Sequence, residues 1–215
     1  MTPRGVLLTG FDAFGGADRN PSELAARALH GRTIAGHRVR AVVLPTAFAA
    51  APAALAAALA RPGPPPALVL CVGQAGGRAA IGLERVAINI ADAPIPDNAG
   101  HRPQDAPLRP DGPAAHLCRL PLKAMRAALD RAGLPAELSL SAGSFVCNAV
   151  FYELLHRLAT DPRLRATRGG FIHVPWLPGQ GEPSLPLDAL VRGLRVAVAA
   201  ALGPAGEPAE GGALH

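Results

Sequence analysis

The sequence predicts an α/β fold: a single domain on an open, twisted, mostly parallel sheet with helices on both faces. Three observations carry that expectation. Short apolar runs alternate with segments of helical periodicity along most of the chain. One of those runs, Ala67–Val72 (ALVLCV), is apolar without interruption, as strands buried on both faces are. Apolar residues make up 49% of the 215 residues, aromatics only 4%, so a core of ordinary size has to be built from Ala, Val, Leu and Ile.

The elements follow in order. Gly5–Thr9 (GVLLT) reads as a strand ending in the loop GFDAFGGADRNPS, and SELAARALHG after it has helical spacing. Arg38–Leu44 is a strand closed by Pro45, and Phe48–Ala60 is an alanine-rich helix stopped by RPGPPP. The buried run Ala67–Val72 leads into GQAGGR. Ile81–Ala91 (IGLERVAINIA) reads as one further strand, and the Pro-, Asp- and Gly-rich stretch Asp92–Pro113 is too long for a plain connector, which marks it as functional or as a subunit contact. A helix over Leu122–Ala132, the strand ELSLS, a helix from Gly143 or Ser144, the strand Gly170–Val174 and a helix over Leu187–Leu202 complete residues 1–202. The tail 203–215 (GPAGEPAEGGALH) has a disordered composition. In such sheets chemistry gathers at the carboxyl ends of the strands. Five loops are therefore of interest: GFDAFGG, the Pro45 turn, GQAGGR, AGSFVC and HVPW.

Composition excludes several classes. No apolar run approaches the ~20 residues that span a bilayer, and MTPRGVLLTG is too short in its apolar part for a secretory signal, so a soluble cytoplasmic protein without membrane contact is expected. Three cysteines with no CxxC spacing argue against a disulfide framework and a structural zinc site. The net charge of +5 and an isoelectric point near 10.0 raise nucleic-acid binding. The arginines, however, stand singly among Ala, Pro and Gly without interleaved aromatics, so a solvated surface and no nucleic-acid partner are expected. No HExxH, GxxxxGK[ST] or GxSxG occurs. GQAGGR is followed by strand-like residues rather than a helix, against a dinucleotide fingerprint, though it leaves open a phosphorylase-like reading testable by phosphate-dependent nucleoside cleavage.

Three residues stand out as candidates for chemistry, each with a structural alternative. Cys147 in AGSFVCNAVFYELLH falls in the first turn of a helix, where unpaired N–H groups and the helix dipole favour a thiolate and could hold an oxyanion; a buried packing thiol is the alternative. His173, alone among seven histidines, ends a strand at the expected catalytic edge, as a base would or as a structural histidine would. Glu84 shares strand parity with Val86, Ile88 and Ile90, so period-two alternation points its carboxylate into an apolar layer. There it needs a partner: either a histidine it orients or an arginine in a salt bridge.

Taken together, TGFDAFGG with NPS, VGQAGGR, ERVAINIADAPIPDN, GPAAHLCRLPLKAM, SAGSFVCN and FIHVPWLP resemble the type I pyroglutamyl peptidases, the pyrrolidone-carboxylate peptidases, from residue 8 to about 178. The resemblance implies a cysteine peptidase that removes N-terminal pyroglutamate from peptides by way of a thioester, with Cys147 as nucleophile, His173 as base and Glu84 as acid. It implies Phe11 and Phe14 framing the lactam ring, backbone groups of the Gln74 loop reading it, and Asn20 and Ile95 in the same surroundings. It further implies a homo-tetramer and no metal or organic cofactor. Two positions depart from the family pattern: Ala13 replaces a proline of the first loop, and Pro94 replaces the arginine of DARIPDN. Losing that arginine frames a second reading, a catalytically weak pyroglutamyl-peptide-binding homologue, unless Arg78 or Arg85 compensates.

Overall fold

The computed structural model describes residues 4–203, and the tail expectation for 204–215 lies outside them. Seven strands form the main sheet: β1 (Val6–Phe11), β2 (Thr33–Ile34), β3 (His37–Leu44), β4 (Leu68–Gln74), β5 (Ile81–Glu84), β8 (Ala136–Ser139) and β9 (Arg168–Val174), in spatial order β2-β3-β1-β4-β9-β5-β8. The central strands β3, β1, β4 and β9 run parallel, whereas β5 is antiparallel to β9 and β8 follows β5. The helices are α1 (Pro21–Leu29), α2 (Ala50–Leu59), α3 (Leu122–Arg131), α4 (Val146–Thr160) and α5 (Leu187–Leu202).

Alternation along the strands sorts the core into two layers. Val6, Leu8, Leu70, Val72, Ile172 and Val174 face one side, with Met125, Leu190 and Leu194 of α3 and α5. Leu7, Phe11, Val69, Cys71 and Phe171 face the other, with Leu55 of α2 and Val150 and Leu154 of α4. The scarcity of aromatics matters here: α1 lies so close to β1 that a Cβ on Gly10 would strike the backbone of Ser22. Asn20 starts α1, its side-chain oxygen accepting the Ser22 N–H at 3.0 Å, with Pro21 at the first helical position.

The expected strand over Ile81–Ala91 is two. It breaks at Arg85, and β6 (Val86–Ile88) leaves the sheet to pair with β7 (Ala115–Leu117) in a separate antiparallel ribbon. Glu84 therefore shares its layer with Gly82 and α4 rather than with Val86, Ile88 and Ile90, and Ile90 is exposed. The apolar positions change parity there, from Ile81 and Leu83 to Val86, Ile88 and Ile90, and a single strand does not allow for that slip. The expectation that all five loops follow strands ending at one edge also needs correction. β8 runs opposite to the central strands, so its own carboxyl end points away, and the chain turns back over Ser141–Ser144 to start α4 against β4. None of the helices described is long and apolar enough to cross a membrane.

Candidate active site

The register of three neighbouring strands assembles the site. His173 on β9 pairs with Gly73 on β4 and with Gly82 on β5. Glycine at both flanking positions leaves room on the face that α4 covers. A Cβ on Gly73 would stand 2.7 Å from the Cys147 Sγ and 2.9 Å from the Phe171 ring; one on Gly82 would stand 3.5 Å from Glu84 Oε1 and 3.6 Å from the His173 Cβ. Cys147, His173 and Glu84 thus share one face at the carboxyl end of β4 and β9.

His173 is buried and its Nδ1 lies 2.8 Å from Glu84 Oε1. With Nδ1 engaged, Nε2 is the ring nitrogen left to exchange a proton. The Phe171 ring packs against the imidazole at 4.9 Å between centroids. Glu84 is fully buried, and both readings of it are realised: the same oxygen that meets His173 accepts from Arg78 Nη1 at 2.9 Å. Burial alone would raise its carboxyl pKa, but the His173 hydrogen bond and charge, with Ser139 and Arg78, outweigh burial and hold it below the ordinary value. Arg78 also reaches Ser139 and the Ser141 carbonyl, so the GQAGGR turn clamps the acid to the loop before α4. Arg85 acts elsewhere: its charge bears on Cys118.

Cys147 is the second residue of α4, half-buried, in the first turn as expected although the helix begins at Val146 rather than near Gly143. Its electrostatics differ from the expectation. Burial pushes the thiol up to about 12, Glu84 and Cys71 push the same way, and Arg78 and the residue's own N–H only partly oppose them. Desolvation thus opposes the helix terminus at this thiol. Cys71, beneath it, is likewise pushed up to about 12 by burial.

The loops around this face are braced by polar side chains. Asn148, next to the cysteine and fully buried, accepts from the Ile88 N–H and donates to the Ile88 and Ile90 carbonyls. Ser144 donates to the Asp92 carbonyl at 2.7 Å, and Asp92 N–H returns to Ser144. Asp97 accepts from the N–H groups of Phe48, Ala99 and His101, while Asn98 donates to Asp12 and to the Ala13 carbonyl. The long segment after Asp92 is thereby laid across the edge, joining the first loop to the Cys147 loop. Trp176 fills the gap beside Gly76, where any Cβ would strike its ring.

The remaining sequence candidates scatter by role. Phe11 is buried in the core at 6.3 Å from Phe171. Phe14 is partly exposed and joins Phe145 and Phe48 in an aromatic group at 6.0 and 5.3 Å, directly before Cys147. Asn20 is buried, its amide on the Asp12 carbonyl and its oxygen on Ser22, so its polar groups are taken within the protein. Gln74 ends β4 beside Val174, and its Oε1 is buried without a partner. Ile95 is 40% exposed and leans on Gly15 of the first loop. Pro94 is exposed. Sequence reasoning misses Phe145, Phe48 and Asn148, whereas Arg78 is one of the two arginines it names. The asparagine had a signal, a polar residue wedged into an apolar helical run. Among the described residues no group of three or more His, Cys, Asp or Glu could hold a metal ion.

Comparison with known proteins finds close relatives of the whole chain. The sequence pattern of the pyroglutamyl peptidase family matches residues 4–203. The pyrrolidone-carboxylate peptidase of Cupriavidus taiwanensis is 51% identical over 216 residues, covering 98% of this chain and 99% of that protein. The pyrrolidone-carboxylate peptidase of Chromobacterium violaceum is 51% identical over the same length, with 98% and 99% covered. The crystal structure of pyroglutamyl peptidase I from Bacillus amyloliquefaciens superposes with a TM-score of 0.92 at 38% identity, covering 97% of this chain and 100% of that one.

Proposed function

This chain belongs to the pyroglutamyl peptidase family, and from that membership we propose that Cys147 is the nucleophile, His173 the base and Glu84 the carboxylate that orients it. The activity is that of a cysteine peptidase removing N-terminal pyroglutamate from peptides. The observation that carries the assignment of roles is the shared face: His173 sits between Gly73, against which the thiol lies, and Gly82, beside which Glu84 lies.

In the acylation step the thiol proton leaves as attack proceeds. The Cys147 Sγ bonds to the pyroglutamyl carbonyl carbon while His173 Nε2 takes the thiol proton, and Glu84 stabilises the imidazolium that forms. The backbone N–H groups at the start of α4, that of Cys147 among them, face the developing oxyanion. The C–N bond breaks as His173 returns the proton to the departing amine. Water, deprotonated by His173, then adds to the thioester carbon, and the thiolate leaves and regains the proton.

For the substrate end, Phe14 and the Phe145 and Phe48 rings supply apolar surface, with Ile95 closing the first loop. Phe11 supports this wall from beneath, through Phe171, and Asn20 holds the loop in shape. The backbone of the Gln74 loop, at the end of β4 beside His173, supplies the groups that read the lactam. An N-terminal prolyl residue lacks the ring carbonyl and carries a charged amine, which leaves such groups unpaired. Cytoplasmic location, with three free cysteines, and assembly into a homo-tetramer covering the exposed Leu117 and Leu140 (69% and 64%) belong to the same proposal. Light scattering of the purified protein tests the assembly.

The test of function is release of a fluorophore from a pyroglutamyl amide, with a prolyl amide and Cys147→Ala alongside. Turnover confined to the pyroglutamyl amide and absent from the variant supports the assignment. Equal turnover of both amides, or undiminished turnover by the variant, overturns it.

A further inference from the structure

The arginines that stand singly in the sequence meet at the opposite edge of the sheet. A cavity of about 590 Å³ opens where β1, β3, β4 and β9 begin, lined by Arg38, Arg40, Arg61 and Arg163, and no carboxylate lines it. Period-two alternation explains two of them: Arg38 and Arg40 share the face of β3 that farther along carries Val42 and Leu44, under α2. Arg61 follows the end of α2, and the rigid stretch Pro62–Pro66 forms one wall. Arg4, Arg163 and Arg165 line an adjoining cavity that shares Pro65 and Arg163.

Arg78, Arg109 and Arg157, elsewhere on the molecule, each meet a glutamate. Here Arg163 alone is neutralised, by Asp161 at 2.9 Å. Arg38, Arg40 and Arg61 make no ion pair among the described residues. Arg40 donates once, to the Ala58 carbonyl at 2.9 Å, which caps the negative end of α2. That bond uses one of its five N–H groups. Burial, then the Arg61 charge, pulls its guanidinium below the ordinary value, the mark of cations crowded without a counter-charge.

We propose that this cavity is an anion site for a small molecule bearing two or more phosphoryl groups. Guanidinium forks match phosphate oxygens in pairs, and three uncompensated cations call for a polyvalent anion rather than a single carboxylate. The volume falls within that of small-molecule sites, and the proline wall at Pro62–Pro66 is an apolar surface for an uncharged portion. The site lies across the sheet from Cys147, and its occupation does not depend on the peptidase reading.

The test is calorimetric titration of the full-length protein with inorganic tripolyphosphate, and separately with adenosine triphosphate, each against sodium sulfate at equal ionic strength. One saturable site per chain is expected for at least one of the two, weakened about tenfold by Arg61→Ala and further by Arg38→Ala with Arg61→Ala. Both side chains are exposed, so turnover of the pyroglutamyl amide should stay unchanged and reports that the variants are folded. Tighter binding of the nucleotide assigns the apolar wall to its base; tighter binding of tripolyphosphate assigns the site to the phosphoryl chain alone. Binding of both no stronger than sulfate, or undiminished in the double variant, overturns the proposal.

Discussion

The two edges of the central sheet treat charge in opposite ways. At the carboxyl edge the side chains of the candidate site meet protein partners: Glu84 meets His173 and Arg78 through one oxygen, Asp97 accepts three N–H groups, and Asn148 holds β6 to α4. At the amino edge Arg38, Arg40 and Arg61 surround a cavity with no carboxylate. The first pattern is that of a site organised before its substrate arrives, so little reorganisation accompanies reaction. The second leaves a charge imbalance that only a solute can neutralise. Substitutions should therefore be costly for activity at the first edge and nearly silent at the second.

The largest effect is expected from Cys147→Ala, which should lower turnover of a pyroglutamyl amide by about 10⁴-fold or more without loss of fold. Glu84→Gln should follow at about 10³-fold in kcat, because the imidazolium loses its stabilising charge. The same variant sharpens the contrast by pH. The Glu84 carboxyl is held low in the folded protein, so its bonds contribute stability above the unfolded value of about 4.3 and lose it as pH falls through the lower folded value. Thermal melts below about pH 4 should thus fall less steeply for Glu84→Gln than for the parent. Gly73→Ala tests the geometry directly: a methyl group 2.7 Å from Sγ must displace the thiol, with about 10²-fold loss of kcat.

Smaller effects are expected farther out. Pro94→Arg should change kcat/KM by no more than about threefold, since Arg78 already stands on Glu84; a rise of about 10²-fold would show that the exposed proline had weakened the site. Arg61→Ala, at the amino edge, should leave turnover unchanged and raise Tm by about 1 °C at low salt, an effect abolished at high salt as repulsion with Arg40 is screened.

Legibility in the sequence divides along the same line. Buried strands and amphipathic helices were readable because period-two and helical spacing survive in ALVLCV and in the Cys147 helix. Cys147 and His173 stand out as candidates because each lies at the end of an element, whereas Glu84 enters through the parity of a longer strand than the structure has. The break at Arg85 leaves only a one-residue slip of parity, from Ile81 and Leu83 to Val86 and Ile88, with no glycine or proline to mark it. The thiol's raised pKa was not readable: the helix terminus is a local feature, whereas the burial that opposes it comes from β4, β9 and Glu84 far along the chain. The arginine cavity is hidden from the sequence for the same reason. Arg38 and Arg61 are separated by α2 in sequence, and only the packing of that helix on β3 brings their side chains to one opening.

The most direct measurement of the central claim is mass spectrometry of the acid-quenched reaction with a rapidly acylating pyroglutamyl ester. The account predicts a pyroglutamyl group on the peptide carrying Cys147, accumulating before steady state and absent in Cys147→Ala. Acylation of a different residue, or steady turnover with Cys147 unmodified, would contradict it.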